Sequence, residues 1–173
     1  METAALPITD ERLRAAYEYW RRIAAGNPMP CRRDLDPADI ARLLPHVMLI
    51  DVLADGRYRY RLIGTANARE HGMNATGLFL DDAMTGEYRA HVLRLCDECV
   101  RARRALYSES LFLSSAGGAV ERHTKVLFMP LSEDGATVSQ VFVAQVFLHI
   151  DQSTRDQHFV VARPFKEIAH ALL

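Results

Sequence analysis

The sequence predicts an α+β fold in which two strands are followed by helices and then by three more strands. The first observation is a strand pattern over residues 57–63, where arginine alternates with tyrosine and then with leucine. A period of two places charges on one face of a strand and apolar side chains on the other. The second observation is a helical pattern over residues 9–25, where apolar residues recur at every third or fourth position.

Length and composition indicate one globular domain without a dedicated nucleic-acid surface. The chain has 173 residues, of which 25% are charged and 49% are hydrophobic, values that are ordinary for a domain with a single buried core. A nucleic-acid-binding protein usually carries a basic excess to contact phosphates. The net charge of −1 argues against that class.

We expect a cytoplasmic protein with reduced thiols. No apolar run approaches the roughly 18 residues that a membrane span requires, and an acidic residue follows Met1 where a signal peptide has a basic region. The three cysteines, Cys31, Cys96 and Cys99, form an odd set that does not suit a disulfide framework.

The amphipathic helix over residues 9–25 ends at Gly26 and carries an aromatic stripe formed by Leu13, Tyr17 and Trp20. Two large rings are more aromatic surface than a short helix normally leaves in water. The helix must therefore bury this stripe on its own sheet or against a second subunit. We expect a homodimer in which these three residues form the interface.

The remaining elements follow from turn residues and periodicity. Ala54-Asp55-Gly56 joins two strands, residues 46–53 and 57–63, into a hairpin. A long helix is predicted over residues 87–104. Three strands are predicted over residues 106–113, 120–131 and 138–150, and a final amphipathic helix over residues 164–173.

Several short motifs occur together with this element order. They are Gly64-Thr65 with Thr76-Gly77, and upstream Tyr19-Trp20, Pro30, Arg33-Asp34, Asp36-Pro37 and Leu44-Pro45. Over residues 10–150 the chain resembles the PAS family, in particular small bacterial proteins that are little more than one PAS domain. The resemblance implies a five-stranded antiparallel sheet, with the long helix on one face and a pocket between them. It divides the chain into an N-terminal helix and linker (1–36), a PAS-like domain (37–151) and a C-terminal tail and helix (152–173).

The resemblance implies a cytoplasmic sensory or signalling protein that binds a small organic ligand, a protein partner, or both. The alternative is a ligand-free protein–protein interaction module whose pocket is filled by its own side chains. The sequence shows no output module such as a histidine kinase, a cyclase or a helix-turn-helix element. We therefore expect this protein to transmit its signal through contacts with another chain. Ser114 and Ser115 lie beside a Gly-Gly turn and not in a nucleophile elbow, and no phosphate-binding loop occurs. We therefore expect no enzymatic activity.

The predicted pocket combines rings, an imidazole and aliphatic residues from the second strand and the long helix. Buried hydroxyls need hydrogen-bond partners, which a ligand can supply. We expect Tyr60→Trp to block this pocket. The predicted ligand-binding residues are Tyr58, Tyr60, Leu62, Tyr88, His91, Val92 and Leu95.

Two cofactor-binding alternatives follow from the same resemblance. His91 lies on the helix that carries the proximal histidine in haem-binding PAS domains, but a buried, hydrogen-bonded histidine is the simpler interpretation. Flavin photochemistry of the LOV type needs a cysteine within Asn-Cys-Arg, whereas this chain has Asn67-Ala68-Arg69. The photoreactive thiol is therefore missing.

The three arginines Arg57, Arg59 and Arg61 provide the Arg-x-x-x-Arg spacing of some cyclic-dinucleotide sensors, without the companion Asp-x-Ser-x-x-Gly motif. We favour a solvated strand face. Cys96 and Cys99 have the spacing of half a zinc site, but a closed site needs four ligands. We predict no metal site.

Overall fold

The computed structural model describes residues 7–114, 120–148 and 165–173. Within these residues, six antiparallel strands form one sheet in the order β2-β1-β5-β4-β3-β6. The helices are α1 (Glu11–Ala24), α2 (Thr65–His71), α3 (Leu80–Ala83) and α4 (Gly86–Ala102), with 3₁₀ turns at Arg32–Asp34 and Leu44–His46. The strands are β1 (Val47–Val52), β2 (Tyr58–Ile63), β3 (Leu106–Ser114), β4 (Val120–Leu131), β5 (Gln140–Leu148) and β6 (Phe165–Leu172). The predicted antiparallel sheet with a long helix and an N-terminal helix is confirmed.

Helix α1 covers one face of the sheet. The Asp10 carboxylate accepts hydrogen bonds from the backbone N–H groups of Arg12 and Leu13 at 2.9 and 3.4 Å, so it caps the helix start. The apolar stripe then packs on β4 and β5, and Trp20 Nε1 donates to the carbonyl of Pro130 at 3.0 Å. This hydrogen bond satisfies the indole inside the core.

The burial of α1 corrects one of our predictions. Leu13, Tyr17 and Trp20 are 0%, 6% and 7% exposed, and they belong to a core cluster that contains residues of the chain's own sheet. We assigned these three residues to a subunit interface, but the sheet already covers them. A homodimer of this chain must therefore use a different surface.

Helix α4 covers the opposite face of the sheet. The two core clusters separate by strand alternation: Val126 and Phe128 of β4 lie in the cluster with α4, whereas Leu127 and Met129 lie in the cluster with α1. Both faces of the sheet are therefore buried, and the space between α4 and the sheet is where a pocket can form. Among the helices of the described residues, none is long and apolar enough to cross a membrane.

The predicted β1–β2 hairpin is confirmed, but it contains an irregularity that the sequence pattern did not show. Leu49 pairs with Leu62 and Ile50 pairs with Tyr60, so Arg61 is an extra residue on β2. Such a bulge reverses the alternation of side chains beyond it. Leu62 is consequently 46% exposed and Ile63 packs toward α4 instead. The assignment of Leu62 to the pocket is wrong for this reason.

The prediction of a helix over residues 164–173 is also wrong, because the structure has strand β6 there, antiparallel to β3. Phe165, Ile168 and Leu172 do recur at helical spacing. The edge of β3, however, carries backbone donors and acceptors that a strand can pair with and a helix cannot. Tertiary pairing overrides the local pattern in this segment.

The connection between β2 and α2 depends on a glycine. A Cβ atom added to Gly64 would clash with the carbonyl oxygen of Leu44 and lie 2.5 Å from that of Pro45. These are backbone atoms that cannot move aside easily. We expect Gly64→Ala to lower the free energy of unfolding by roughly 2–4 kcal/mol, measured by urea denaturation.

Gly56→Ala is the matched control for this clash. Gly56 has a φ of +83° and nothing within 4 Å of an added Cβ, so its substitution adds only backbone strain of about 1 kcal/mol. Equal losses in the two variants would contradict the steric argument at Gly64.

Candidate functional site

A cavity lies between α4 and the sheet, at the position where the sequence predicts a pocket. Its volume is about 20 Å³, which is room for about one water molecule. Residues from β1, β2, α2, α4, β3, β4 and β5, together with Met84 between α3 and α4, form its wall. They are Met48, Ile50, Tyr60, His71, Met84, Tyr88, His91, Val92, Leu95, Ser110, Val126, Phe128, Val143 and Gln145.

The structure brings five of the seven predicted pocket residues to this cavity: Tyr60, Tyr88, His91, Val92 and Leu95. Their convergence follows from strand alternation on β2 and from the buried stripe of α4. These residues therefore meet at a cavity, but the prediction was a cavity large enough for a small organic ligand, and a volume of about 20 Å³ is too small for such a molecule.

Tyr58 and Leu62 do not line the cavity. The Tyr58 hydroxyl donates to Asp97 Oδ1 at 2.6 Å and thereby joins β2 to the outer part of α4. Burial, followed by the hydrogen bond to this carboxylate, raises the pKa of Tyr58 above its usual value. Tyr58 is thus a structural contact between two elements, and Leu62 faces away because of the bulge at Arg61.

Sequence reasoning missed three polar wall residues, His71, Ser110 and Gln145. Gln145 is buried within β5, and its Nε2 donates to Thr124 Oγ1 at 2.9 Å and, weakly, to the Tyr88 hydroxyl at 3.4 Å. A glutamine inside an apolar strand was the available signal. His71 gave no comparable signal, because it lies at the end of the short helix α2.

The tyrosine hydroxyls of the wall are neutral. Burial raises the pKa of Tyr88 to about 12 and also raises that of Tyr60 above its usual value. Among the described residues that line the cavity there is no Asp, Glu, Lys or Arg. An isolated charge is costly to bury, so this wall suits an uncharged occupant that forms hydrogen bonds.

His91 is held as a neutral imidazole in one tautomer. Arg94 Nη2 lies 3.1 Å from His91 Nδ1, and because a guanidinium can only donate, Nδ1 must accept. The ring proton is therefore on Nε2, which lies 3.3 Å from Ser108 Oγ. Burial lowers the pKa of His91 to about 4.

Two of the three arginines singled out above, Arg57 just before β2 and Arg59 on β2, contact the chain's own carboxylates. Arg57 lies 3.0 Å from Asp81, with its guanidinium 3.6 Å from the centre of the Phe79 ring, and Arg59 lies 3.0 Å from Asp51. These contacts fix α3 and the residue before it, and the end of β1. They account for Arg57 and Arg59 without a phosphate ligand.

The cysteines do not form a metal centre in the described part of the chain. Cys96 and Cys99 are fully buried, and burial raises the pKa of both thiols, that of Cys99 to about 12. Cys31 donates from Sγ to Glu133 Oε2 at 2.7 Å. No group of three His, Cys, Asp or Glu side chains suitable for a metal ion occurs among these residues.

We predict that the purified protein contains neither zinc nor iron in stoichiometric amount. The thiols are protonated, and both ring nitrogens of His91 already have hydrogen-bond partners. Elemental analysis and an absorption spectrum without a Soret band would agree with this. One equivalent of either metal would contradict it.

The low pKa of His91 predicts a dependence of stability on pH. The unfolded chain takes up the proton near pH 6.5 and the folded chain only near pH 4. Stability from burying the neutral ring is therefore complete above pH 6.5 and is lost as the pH falls toward 4. The loss should be at most about 3 kcal/mol. The free energy of unfolding, measured by urea denaturation at several pH values, should fall less in His91→Gln than in the wild-type protein. An equal fall in the two proteins would contradict this account.

The sequence profile of the family described as "PAS domain" matches residues 8–144. No curated protein matches the sequence.

Among solved structures, the LOV protein of Rhodobacter sphaeroides is 12% identical to this chain, with a TM-score of 0.50. The match covers 69% of this chain and 72% of that one. A variant of the fungal photoreceptor Vivid is 14% identical with a TM-score of 0.49, over 86% of this chain and 100% of the other. Such low identity shows similarity of fold alone.

Proposed function

The chain belongs to the PAS domain family, and from this premise we propose that it is a non-catalytic, cytoplasmic signalling sensor. In this proposal the cavity beneath α4 opens to bind a small, uncharged organic ligand. The signal then passes to another protein chain through surface contacts. The family supports the sensory role, and the chemistry of the cavity supports the ligand class.

One observation carries the proposal: polar groups converge on a void inside an otherwise apolar core. Tyr60, Tyr88, His91 and Gln145 all reach the same cavity. Ligand sites in proteins are mostly apolar with a few convergent polar groups that fix orientation. A core that served only for packing would have to provide a partner for each of these hydroxyl, imidazole and amide groups, because an unsatisfied buried polar group is costly.

Ligand binding requires the cavity to enlarge, since ordinary small-molecule pockets measure roughly 300–1,000 Å³. Two features of the wall favour expansion. Met48 and Met84 contribute flexible thioether side chains, and the neighbouring helices α2 and α3 have only seven and four residues.

A buried amide on α2, the helix that brings His71 to the cavity, also favours an occupied state. Asn67 is fully buried on α2, four residues before His71 and therefore on the same face of the helix. Its Oδ1 and Nδ2 atoms have no hydrogen-bond partner among the described residues. An unsatisfied buried amide is costly, and an occupant that extends past His71 would provide the missing bonds.

Tyr60→Trp is the direct test of ligand binding. The larger ring should fill the cavity, so a small molecule released from freshly purified, denatured wild-type protein should be absent from this variant in mass spectrometry. Tyr58→Phe is the matched control, because Tyr58 lies on the same strand but does not line the cavity. It should retain the molecule.

A second function is favoured by the cavity volume of about 20 Å³. With so little free space, the domain can act as an interaction module whose core stays closed. In that case no molecule is released from the wild-type protein, and candidate ligands do not raise its melting temperature. Release of the same molecule from the wild-type protein and from Tyr60→Trp would instead contradict binding in this cavity.

A further inference from the structure

Strand β6 contacts the cavity wall through an aromatic side chain. The ring centre of Phe165 lies 4.5 Å from that of His91 and 6.2 Å from that of Tyr88. Both distances fall within the range of interacting ring pairs. Because His91 and Tyr88 line the cavity, a displacement of either ring must change its contact with Phe165.

A charged contact connects the same strand to His91 by a second route. Glu167 Oε2 accepts a hydrogen bond from Arg94 Nη2 at 2.9 Å, and the same nitrogen lies 3.1 Å from His91 Nδ1. Glu167 therefore positions the guanidinium that fixes the His91 tautomer. His170 belongs to the same cluster of polar side chains. Its Nδ1 lies 2.7 Å from Glu167 Oε1, and its Nε2 lies 3.7 Å from Oε1 of Glu98 on α4.

A bulge in β6 makes this arrangement possible. Ser110 pairs with Glu167, whereas Glu109 pairs with Ala169, so Ile168 is an extra residue. Without the bulge, Glu167 and His170 would point to opposite faces of the sheet, because side chains alternate with a period of two. With it, both side chains meet α4.

β6 is also well placed to separate from the sheet. It lies at an edge, and within the described residues it pairs with β3 alone. Lys166, Ile168, Ala169 and His170 are exposed. Elements with few buried contacts have the lowest local unfolding free energies in a protein.

We propose that β6 reports whether the cavity is occupied. Enlargement of the cavity displaces Tyr88 and His91 against Phe165 and disturbs the contact between Arg94 and Glu167, so the pairing of β6 with β3 weakens. This inference rests on the proposed function, because a ligand is the natural cause of enlargement. By thermodynamic linkage, detachment of β6 must also favour the enlarged cavity.

The first experiment changes the cavity at a distance from β6 and measures β6. Tyr60 lies on β2, at the opposite edge of the sheet. In Tyr60→Trp, the backbone amides of residues 165–172 should exchange with deuterium about tenfold faster than in wild-type protein freed of any bound small molecule, with the exchange of β4 and β5 amides in the same molecule as the internal standard. Tyr58→Phe should leave this ratio unchanged. An unchanged ratio in Tyr60→Trp overturns the proposal.

The second experiment changes β6 and measures the cavity wall, and it does not depend on the folding of Tyr60→Trp. Phe165→Ala removes the ring that covers His91, so an NMR titration should show the pKa of His91 raised toward 6.5 by about one unit or more. Ile168→Ala is the matched control, because Ile168 is exposed on the same strand. Equal His91 titrations in these two variants overturn the proposal.

These outcomes separate the reporting role from ligand binding. Neither experiment uses a ligand, so coupling measured in a protein that releases no molecule would support the reporting role while the ligand proposal fails. A released molecule with unchanged β6 exchange in Tyr60→Trp would overturn the reporting role and leave the ligand proposal standing.

Discussion

Strands β4 and β5 bury both of their faces, and this double burial determines where the other elements lie. Consecutive residues such as Leu127 and Phe128 enter separate core clusters on opposite sides of the sheet. Each cluster needs a cover, because an exposed apolar sheet face is unfavourable in water. Helix α1 provides one cover and α4 the other. The cavity arises on the α4 side, where polar side chains interrupt apolar packing.

The order of elements could be predicted because it depends on local patterns. Each of these elements has its own signal in the sequence: alternation for the strand over residues 57–63, an apolar stripe for α1, and Asp55-Gly56 for the hairpin turn. Features that depend on partners could not be predicted in this way. The bulge at Arg61 exists only in the pairing with β1, and residues 165–172 form a strand only because β3 offers an edge. The outward position of Leu62 and the strand at the C-terminal end were missed for these reasons.

The residues of the candidate site show the same difference between features set by local sequence patterns and features set by tertiary packing. Tyr60, His91 and Leu95 were found because each lies on the apolar face of an element with a clear period. His71 was missed because it reaches the cavity through the position of the short helix α2, which Gly64 permits by approaching the backbone of Pro45. Distances across the fold, and hence the volume of the cavity, depend on how all these elements pack and cannot be obtained from residue spacing.

The two edges of the sheet are closed by different means, and this affects how molecules of the protein meet. Beside β2, the backbone of Leu78 accepts a hydrogen bond from Tyr60 N–H at 2.9 Å and occupies part of that edge. At β6, the exposed charge of Lys166 and the bulge at Ile168 interrupt the regular ladder. Both devices discourage the addition of a strand from another molecule. Both edges of the sheet are therefore protected against the continuous intermolecular pairing that leads to aggregation.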